Sequence, residues 1–510
     1  MLGKSFFLGM LALNVFSICI AQPDDLPRSW PEDQGVSSRD IVSFLNAANA
    51  SKTEFHSFML LRHGNVIAEA WWNPYSAKLE NTLYSCSKSF TATAIGFAVN
   101  EKRLSLQDKV ISFFPKNVPD TISTFLRELT VRDVLIMSDG MEPDPSFAVV
   151  DRDSNWIKGF LGTLIKYEPG TRFLYNSLGT YMLSAIIQKV TGQKTIDYLK
   201  TRLFEPLGIA GMDWETDLQG INTGGWGLRV KTADMAKFAE LFLRKGKWKG
   251  RQVLPASWVE EASTAKIMQN PNARQTQKDS SDWLQGYCYQ MWRCRNNAYR
   301  GDGAFGQLMI VMPDQDAAIA VTAETADMQE EINLVWKYLL PSFSPQKLPR
   351  DPEGDELLKT VANRLAVIPP HGIEKKEFRT KKYKFEGQKT SFRDITFDCS
   401  GQSCKVSLST DSGKFLLELD AQKWNLSRTN MPGPSLTANA IENTSMLYPA
   451  KIAGMFAWKD ENTLQLVLRY IESPHTLTLN CKFDGDNLEL TELRSLDFGR
   501  SKQIFHASSN

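Results

Sequence analysis

The chain has 510 residues, 59 Lys and Arg against 58 Asp and Glu, and 42% hydrophobic side chains. That length exceeds what one hydrophobic core organises, so two domains, or one large domain with an appendage, are expected. The balanced charge excludes a general electrostatic attraction to nucleic acid or an anionic membrane, and a small-molecule or peptide partner is expected instead.

Residues 1–21, "MLGKSFFLGMLALNVFSICIA", carry one lysine, an uncharged apolar run and a small residue at the end. They read as a signal peptide, so export to the periplasm or medium is expected. A membrane anchor fits less well, because the run is short and Asn14 interrupts it. Nothing after Ala21 has the pattern of a transmembrane segment.

Six cysteines follow the leader: Cys86, Cys288, Cys294, Cys399, Cys404 and Cys481. Without a C-x-x-C pair, and with His56, His63, His371, His475 and His506 scattered, no metal site or other cofactor is expected. In an oxidising compartment Cys399 with Cys404, and Cys288 with Cys294, are candidate short-loop bridges.

Helical and strand patterns alternate from about residue 38 to 340. "HSFMLLRHGNVIAEAWW" predicts a hairpin turning at Arg62–Asn65. "LYSCSKSFTATAIGFAVN", residues 83–100, opens a strongly apolar helix. Short helices are expected in "RLSLQDKVISFFP" and "ELTVRDVLIMSDGM", where Thr130 and Asp133 have the spacing of an N-cap and an acidic N3 residue. "GTYMLSAIIQKVTG" and "KTADMAKFAELFLRKG" predict amphipathic helices ended by Gly192 and Gly246. "LMIVMPDQDAAIAVTAE" predicts two strands joined at Pro313–Asp316.

Prolines and charges in "PSFSPQKLPRDPEGDE" mark residues 341–376 as a linker containing one helical piece. From 377 to 510 the pattern changes to strands, with a hairpin turn at Asp484-Gly485, and predicts a separate all-β sandwich or barrel. Residues 22–340 are left as the other domain.

Ser85 and Lys88 are three apart at the mouth of the apolar helix, so the amine lies one turn behind the hydroxyl. A buried lysine has a lowered pKa, and its neutral amine activates a serine. S-x-x-K recurs at Ser263–Lys266 and Ser344–Lys347, so by itself it fits a capping serine and a solvated lysine better. The histidine positions and the lack of a G-x-S-x-G elbow suited to a Ser-His-Asp triad favour lysine or tyrosine as the base of any serine hydrolase here.

"YSCSKSF" resembles the first motif of the serine β-lactamase and penicillin-binding-protein superfamily, in particular its class C and esterase-like branch. "EPGTRFLYNSLGTYMLSAIIQKVTG" resembles the Y-x-N motif, and "YRGDGAFGQLMIVMPDQDAAIAVT" falls where the third motif is expected. These matches run in family order over about residues 40–340. The resemblance implies an α/β (α+β) catalytic domain with an antiparallel sheet flanked by helices. It further implies Ser85 as acylated nucleophile, Lys88 as its base and Tyr175 as a proton relay. Ser177 would support Lys88, and the backbone N–H groups of Ser85 and Ala304, the latter following Gly303, would form an oxyanion hole.

Two departures carry consequences. Ser177 replaces the usual asparagine at the third position of Y-x-N, with a shorter reach. Gly301-Asp302-Gly303 replaces K-T-G or H-x-G, so the group that meets a substrate carboxylate is missing, with Arg300 adjacent. Asp302 facing the cleft would favour neutral or amine-bearing substrates; a solvated strand-end aspartate fits the sequence equally. Trp226 and Tyr287, with Tyr289 and Trp292, are candidate cleft residues or simply core. An exported serine hydrolase acting on an ester or D-amino-acid amide is the expectation, beside a β-lactamase or D,D-peptidase, or a non-catalytic ligand-binding protein of the same fold. Oligomeric state is not legible.

Overall fold

A computed structural model describes residues 26–374, 378, 381–385, 391–437, 444–445, 449–496 and 502–509. The expected leader, residues 1–21, lies outside the described residues. No helix among the described residues is long and apolar enough to cross a membrane.

A six-stranded antiparallel sheet organises the first domain. Its strands are β1 (Glu54–Arg62), β2 (Asn65–Trp71), β3 (Trp292–Arg293), β4 (Tyr299–Gly303), β5 (Gln307–Met312) and β6 (Ala317–Glu324), in the order β2-β1-β6-β5-β4-β3. The expected hairpin joins β1 to β2, with His63 and Gly64 at φ 49° and 79°. All of β1 after Glu54 is buried, because both faces of the sheet are covered. Met59 and Leu61 face one core, and Phe58 and Leu60 face the other.

The first core holds α2 (Ser87–Asn100), α3 (Val131–Leu135), α4 (Ser177–Thr191) and α5 (Thr232–Leu243). Helix α2 is buried on every side as far as Ala98, as its nearly unbroken small and apolar sequence requires. Thr130 and Asp133 form the expected capping box at α3: the Asp133 N–H donates to Thr130 Oγ1 at 3.2 Å, and the Thr130 N–H donates to the Asp133 carboxylate at 3.0 Å. Gly192, at φ 72°, ends α4 as expected.

The second core packs α1 (Ser38–Ala50) and α6 (Met328–Leu334) on the opposite face of the sheet, and α7 (Pro352–Arg364), from the proline-rich segment, adds Leu358 to it. Residues 341–374 are docked rather than loose. Arg39 pairs with Asp351 at 2.6 Å, and Asn73 exchanges backbone hydrogen bonds with Leu365 and Val367.

The second domain is an antiparallel barrel. Its strands are β7 (Lys381–Phe385), β8 (Phe392–Ser400), β9 (Ser403–Thr410), β10 (Gly413–Asp420), β11 (Asn425–Thr429), β12 (Ala450–Trp458), β13 (Thr463–Tyr470), β14 (His475–Asp484), β15 (Asn487–Arg494) and β16 (Lys502–Ser508). The order is β10-β9-β8-β7-β16-β15-β14-β13-β12-β11, and an Asp420–Met455 bridge between β10 and β12 closes it. Gly485 takes φ 58° at the expected turn.

A disulfide joins Cys399 to Cys404, which sit opposite each other on β8 and β9. The expected Cys288–Cys294 bridge is absent: both are free and buried. Cys288 belongs to the first core and Cys294 to the second, so their thiols lie on opposite faces of the sheet.

Charged groups clamp the two domains. Arg469 on β13 forms a bidentate pair with Glu54 on β1, and Thr476 donates to Glu324 on β6 at 2.9 Å. Glu472 accepts from Arg229 at 3.2 Å and from Lys451 at 2.7 Å, while its carbonyl accepts from the Thr82 N–H at 2.8 Å. Burial raises the Glu54 carboxyl, but His56 and Arg469 outweigh it and hold the group at about 2. Arg469→Ala leaves that carboxylate without its guanidinium and is expected to destabilise the protein by ~3–5 kcal/mol. Exposed Lys359→Ala should change stability by less than ~0.5 kcal/mol. Thermal melts of the two variants beside the parent check this; similar small shifts for both would refute the clamp.

Candidate active site

Ser85 lies in a single helical turn, Tyr84–Cys86, that feeds directly into α2. Tyr84 takes the left-handed conformation, φ 44°, and so turns the chain sharply just before the serine. Ser85 keeps partial access to solvent, whereas residues 86–98 are buried. Lys88, one turn on, is 1% exposed.

The Lys88 amine has three neighbours: Ser85 Oγ at 3.0 Å, Ser177 Oγ at 3.0 Å and the Gly225 carbonyl at 2.7 Å. Burial lowers its pKa to about 7, against the opposing charges of Asp144 and Asp302. A neutral amine has two protons and one lone pair. It can donate to Gly225 and Ser177 and still accept the Ser85 proton.

The Gly225 carbonyl is held by lacing between α2 and residues 224–228. Thr91 Oγ1 donates to the Gly224 carbonyl at 2.9 Å, and the Leu228 N–H donates to Ser87 Oγ at 3.2 Å. A Cβ on Gly225 would lie 2.7 Å from the Ser177 carbonyl and 3.4 Å from Lys88 Nζ, so only glycine fits between the two motifs. Sequence reading missed this residue; the glycine-rich "GGWG" was the available signal.

Tyr175 and Ser177 bracket the start of α4. Asn176 between them turns away from Lys88: its Oδ1 caps the helix by accepting from the Gly179 N–H at 3.1 Å, and its Nδ2 donates to Asp139 at 2.7 Å. The Tyr175 ring stands 5.0 Å from Lys88 Nζ and stacks on Trp292 at 5.7 Å. Burial keeps its phenol protonated well above neutral pH, although a hydrogen bond with Ser85 opposes the shift.

The third motif ends β4 beside the serine turn. A Cβ on Gly303 would lie 2.1 Å from the Leu83 carbonyl and 3.2 Å from the Cys86 nitrogen, so the glycine permits this contact. Ala304 follows in the turn to β5.

Asp302 does not offer a free carboxylate to a cleft. Residues two apart on a strand share a face, and Arg300 binds Asp302 Oδ2 at 2.7 Å, leaving that side chain 10% exposed. Arg300 itself is fully buried, stacked 4.2 Å above the Trp283 ring, and donates to the Asp282 carbonyl at 2.8 Å. It is therefore equally unavailable to a substrate carboxylate. Tyr287 is buried against Tyr175 and Trp292 and supports them from behind rather than lining the cleft.

Trp226 does line a cavity with Ser85, about 60 Å³ in volume and partly open to solvent. Asp144, Phe147, Ser177 and Gly225 also face it, and none of the described residues that line it is a lysine, arginine or histidine. Asp144 was not singled out from the sequence, where "PDPS" looks like any polar loop.

Among the described residues, Glu54, His56 and Glu324 bring three ligand atoms within 4.8 Å of one another. Arg469 already lies between the two carboxylates, 3.8 Å from Glu324, and supplies the positive charge an ion would bring.

The chain is similar to known proteins in sequence and in fold. A family model described as Beta-lactamase matches residues 55–338, more than half of the chain. A 6-aminohexanoate-dimer hydrolase of Paenarthrobacter ureafaciens is 26% identical over 293 residues, 53% of this chain and 73% of that protein. A protein of Escherichia coli K12 provisionally named D-alanyl-D-alanine carboxypeptidase is 25% identical over 153 residues, 27% of this chain and 35% of its own length. Among solved structures, one from Bacillus anthracis provisionally named 6-aminohexanoate-dimer hydrolase superposes with a TM-score of 0.52 at 21% identity, covering 64% of this chain and 89% of that one. The chain belongs to the beta-lactamase family, within the serine β-lactamase and penicillin-binding-protein superfamily.

Proposed function

We propose that this chain, a hydrolase of the beta-lactamase family, cleaves esters or amides lacking a recognition carboxylate through an acyl-enzyme on Ser85. The observation that carries the reading is the Lys88 amine 3.0 Å from Ser85 Oγ, buried, with its pKa lowered to about 7. In the proposed sequence Lys88 takes the Ser85 proton as Oγ attacks the substrate carbonyl. The resulting oxyanion is met by the N–H groups of Ser85 and Ala304. As the carbonyl re-forms, the bond to the leaving group breaks. Tyr175 donates its phenolic proton to that group and is reprotonated from the Lys88 ammonium. Water, deprotonated by the same pair, then attacks the acyl carbon; as the acyl–Oγ bond breaks, that proton passes to Ser85 Oγ and the acid leaves.

That none of the described residues lining the cavity is a lysine, arginine or histidine supports neutral substrates, as does the Arg300–Asp302 pair. The same features weigh against β-lactams and D,D-peptides, whose carboxylate would enter without a partner. The relative named 6-aminohexanoate-dimer hydrolase supports hydrolysis over a purely binding role. Export is part of the proposal, supported by residues 1–21 and by the Cys399–Cys404 disulfide. The mass of the mature N-terminus tests it; a retained residue 1 would argue against it.

A fluorophosphonate probe followed by peptide mapping is expected to label Ser85 and to leave Ser85→Ala unmodified; an unlabelled parent protein would overturn the proposal. Lys88→Arg keeps a permanent charge and should lower kcat/KM for p-nitrophenyl acetate by roughly 10³–10⁴-fold.

The pH dependence follows from the sign of the Lys88 shift. The amine is a base only when unprotonated, so kcat/KM should fall about tenfold per unit below pH 7 and level off above it. A profile flat from pH 5.5 to 8.5 would rule out Lys88 as the base. Nitrocefin should be turned over with a kcat/KM roughly 100-fold below that of p-nitrophenyl acetate, reflecting the missing charge-assisted contacts. Comparable values would favour the β-lactamase reading.

A further inference from the structure

The barrel reaches into the cavity that contains Ser85. Leu436 and Thr437, on the connection that follows β11, face the same space as Ser85, Ser177 and Gly225. This connection is fixed at its base. Met431 is buried and its carbonyl accepts from the Tyr470 hydroxyl at 3.2 Å, while Gly433 lies so close to the Tyr470 ring that a Cβ would come within 2.6 Å of it. Ser435 Oγ accepts from the Thr437 N–H at 3.2 Å, a tight local turn that leaves Leu436 at its apex.

The barrel also grips the nucleophile turn itself. The Tyr84 hydroxyl lies 2.5 Å from His475 Nε2 on β14, and Tyr84 also interacts with Ser435 and Leu436. Beyond the turn, Thr444–Ser445 pair antiparallel with Thr216–Asp217 of the first domain. Residues 431–437 are thus tied to the barrel, and Thr444–Ser445 to the catalytic domain.

Phe147, Val150, Trp226 and Leu436 give the cavity its apolar surface, and Leu436 alone of these comes from the barrel. Tyr175 is not among the residues lining this cavity. A leaving group must depart toward the phenol that protonates it, so a group lodged beside Leu436 belongs to the acyl half of the substrate.

We propose that Leu436 is a specificity-determining residue: supplied by the barrel, it closes the apolar end of the acyl cavity and restricts the enzyme to substrates with short, uncharged acyl chains. The inference rests on acylation of Ser85. Steric closure by one branched side chain acts through volume, and one methylene in such a pocket shifts kcat/KM by roughly 10-fold or more.

The experiment compares p-nitrophenyl acetate, butyrate, hexanoate and octanoate in the full-length protein. The parent should prefer acetate or butyrate over octanoate by at least roughly 10-fold. Leu436→Ala should raise the octanoate-to-acetate ratio roughly 10-fold, and Leu436→Phe should lower the butyrate-to-acetate ratio. Leu426→Ala, at an exposed leucine on β11, controls for truncation itself and should leave the profile alone. Fluorophosphonate labelling separates the two readings. If Ser85 is not labelled in the parent, the proposed function fails. If it is labelled but the parent hydrolyses octanoate as well as acetate, or both Leu436 variants keep the parent profile, this inference alone is overturned.

Discussion

The catalytic half of the molecule is built around one buried amine. Lys88 carries a group that water would hydrate strongly, yet it sits 1% exposed at the head of a helix sealed on every side. Burial of a full positive charge is expensive, and the protein answers by lowering the pKa to about 7 and by giving the neutral amine acceptors for both its protons. The third direction is left to Ser85 Oγ. The burial that lowers its pKa therefore also leaves an amine that can be neutral near pH 7 facing the Ser85 hydroxyl.

That constraint explains features far apart in sequence. Gly225 must lack a side chain because a Cβ would meet the Ser177 carbonyl at 2.7 Å and crowd the Lys88 amine. Asn176 serves as the cap of α4, so the supporting hydroxyl falls to Ser177, whose shorter side chain still reaches Lys88 at 3.0 Å. Gly303 lets the end of β4 touch the serine turn. Three segments separated by about ninety, one hundred and forty and two hundred residues of chain meet around two side chains. None of them tolerates much bulk at the point of contact.

The barrel is part of this assembly. Its polar clamp on β1 and β6 is part-buried, with a bidentate Arg469–Glu54 pair, and the Tyr84–His475 contact fixes the residue immediately before Ser85. Interfaces between domains of one chain are commonly looser and more hydrated. Here the charges are paired across the interface in fixed geometry, which holds the connection after β11 over the cavity instead of leaving the barrel to move on a tether.

Much of this was legible in the linear chain because it depends on local rules. The hairpin at Arg62–Asn65, the Thr130–Asp133 capping box, the glycine stop at Gly192 and the strand texture after residue 377 follow from turn chemistry, helix termini and side-chain periodicity, which act over a few residues. Ser85, Lys88 and Tyr175 were found through motifs whose order is preserved. The sequence by itself thus determined the elements, the two-domain division and the candidate residues that the fold brings together. Only the tertiary structure decided which charges remain available. Arg300 and Asp302 neutralise each other because a strand puts both on one face, Cys288 and Cys294 stay apart because the sheet lies between them, and Leu436 joins Ser85 across three hundred and fifty residues. Those outcomes are set by which surfaces meet when the cores pack, and sequence spacing carries no record of that.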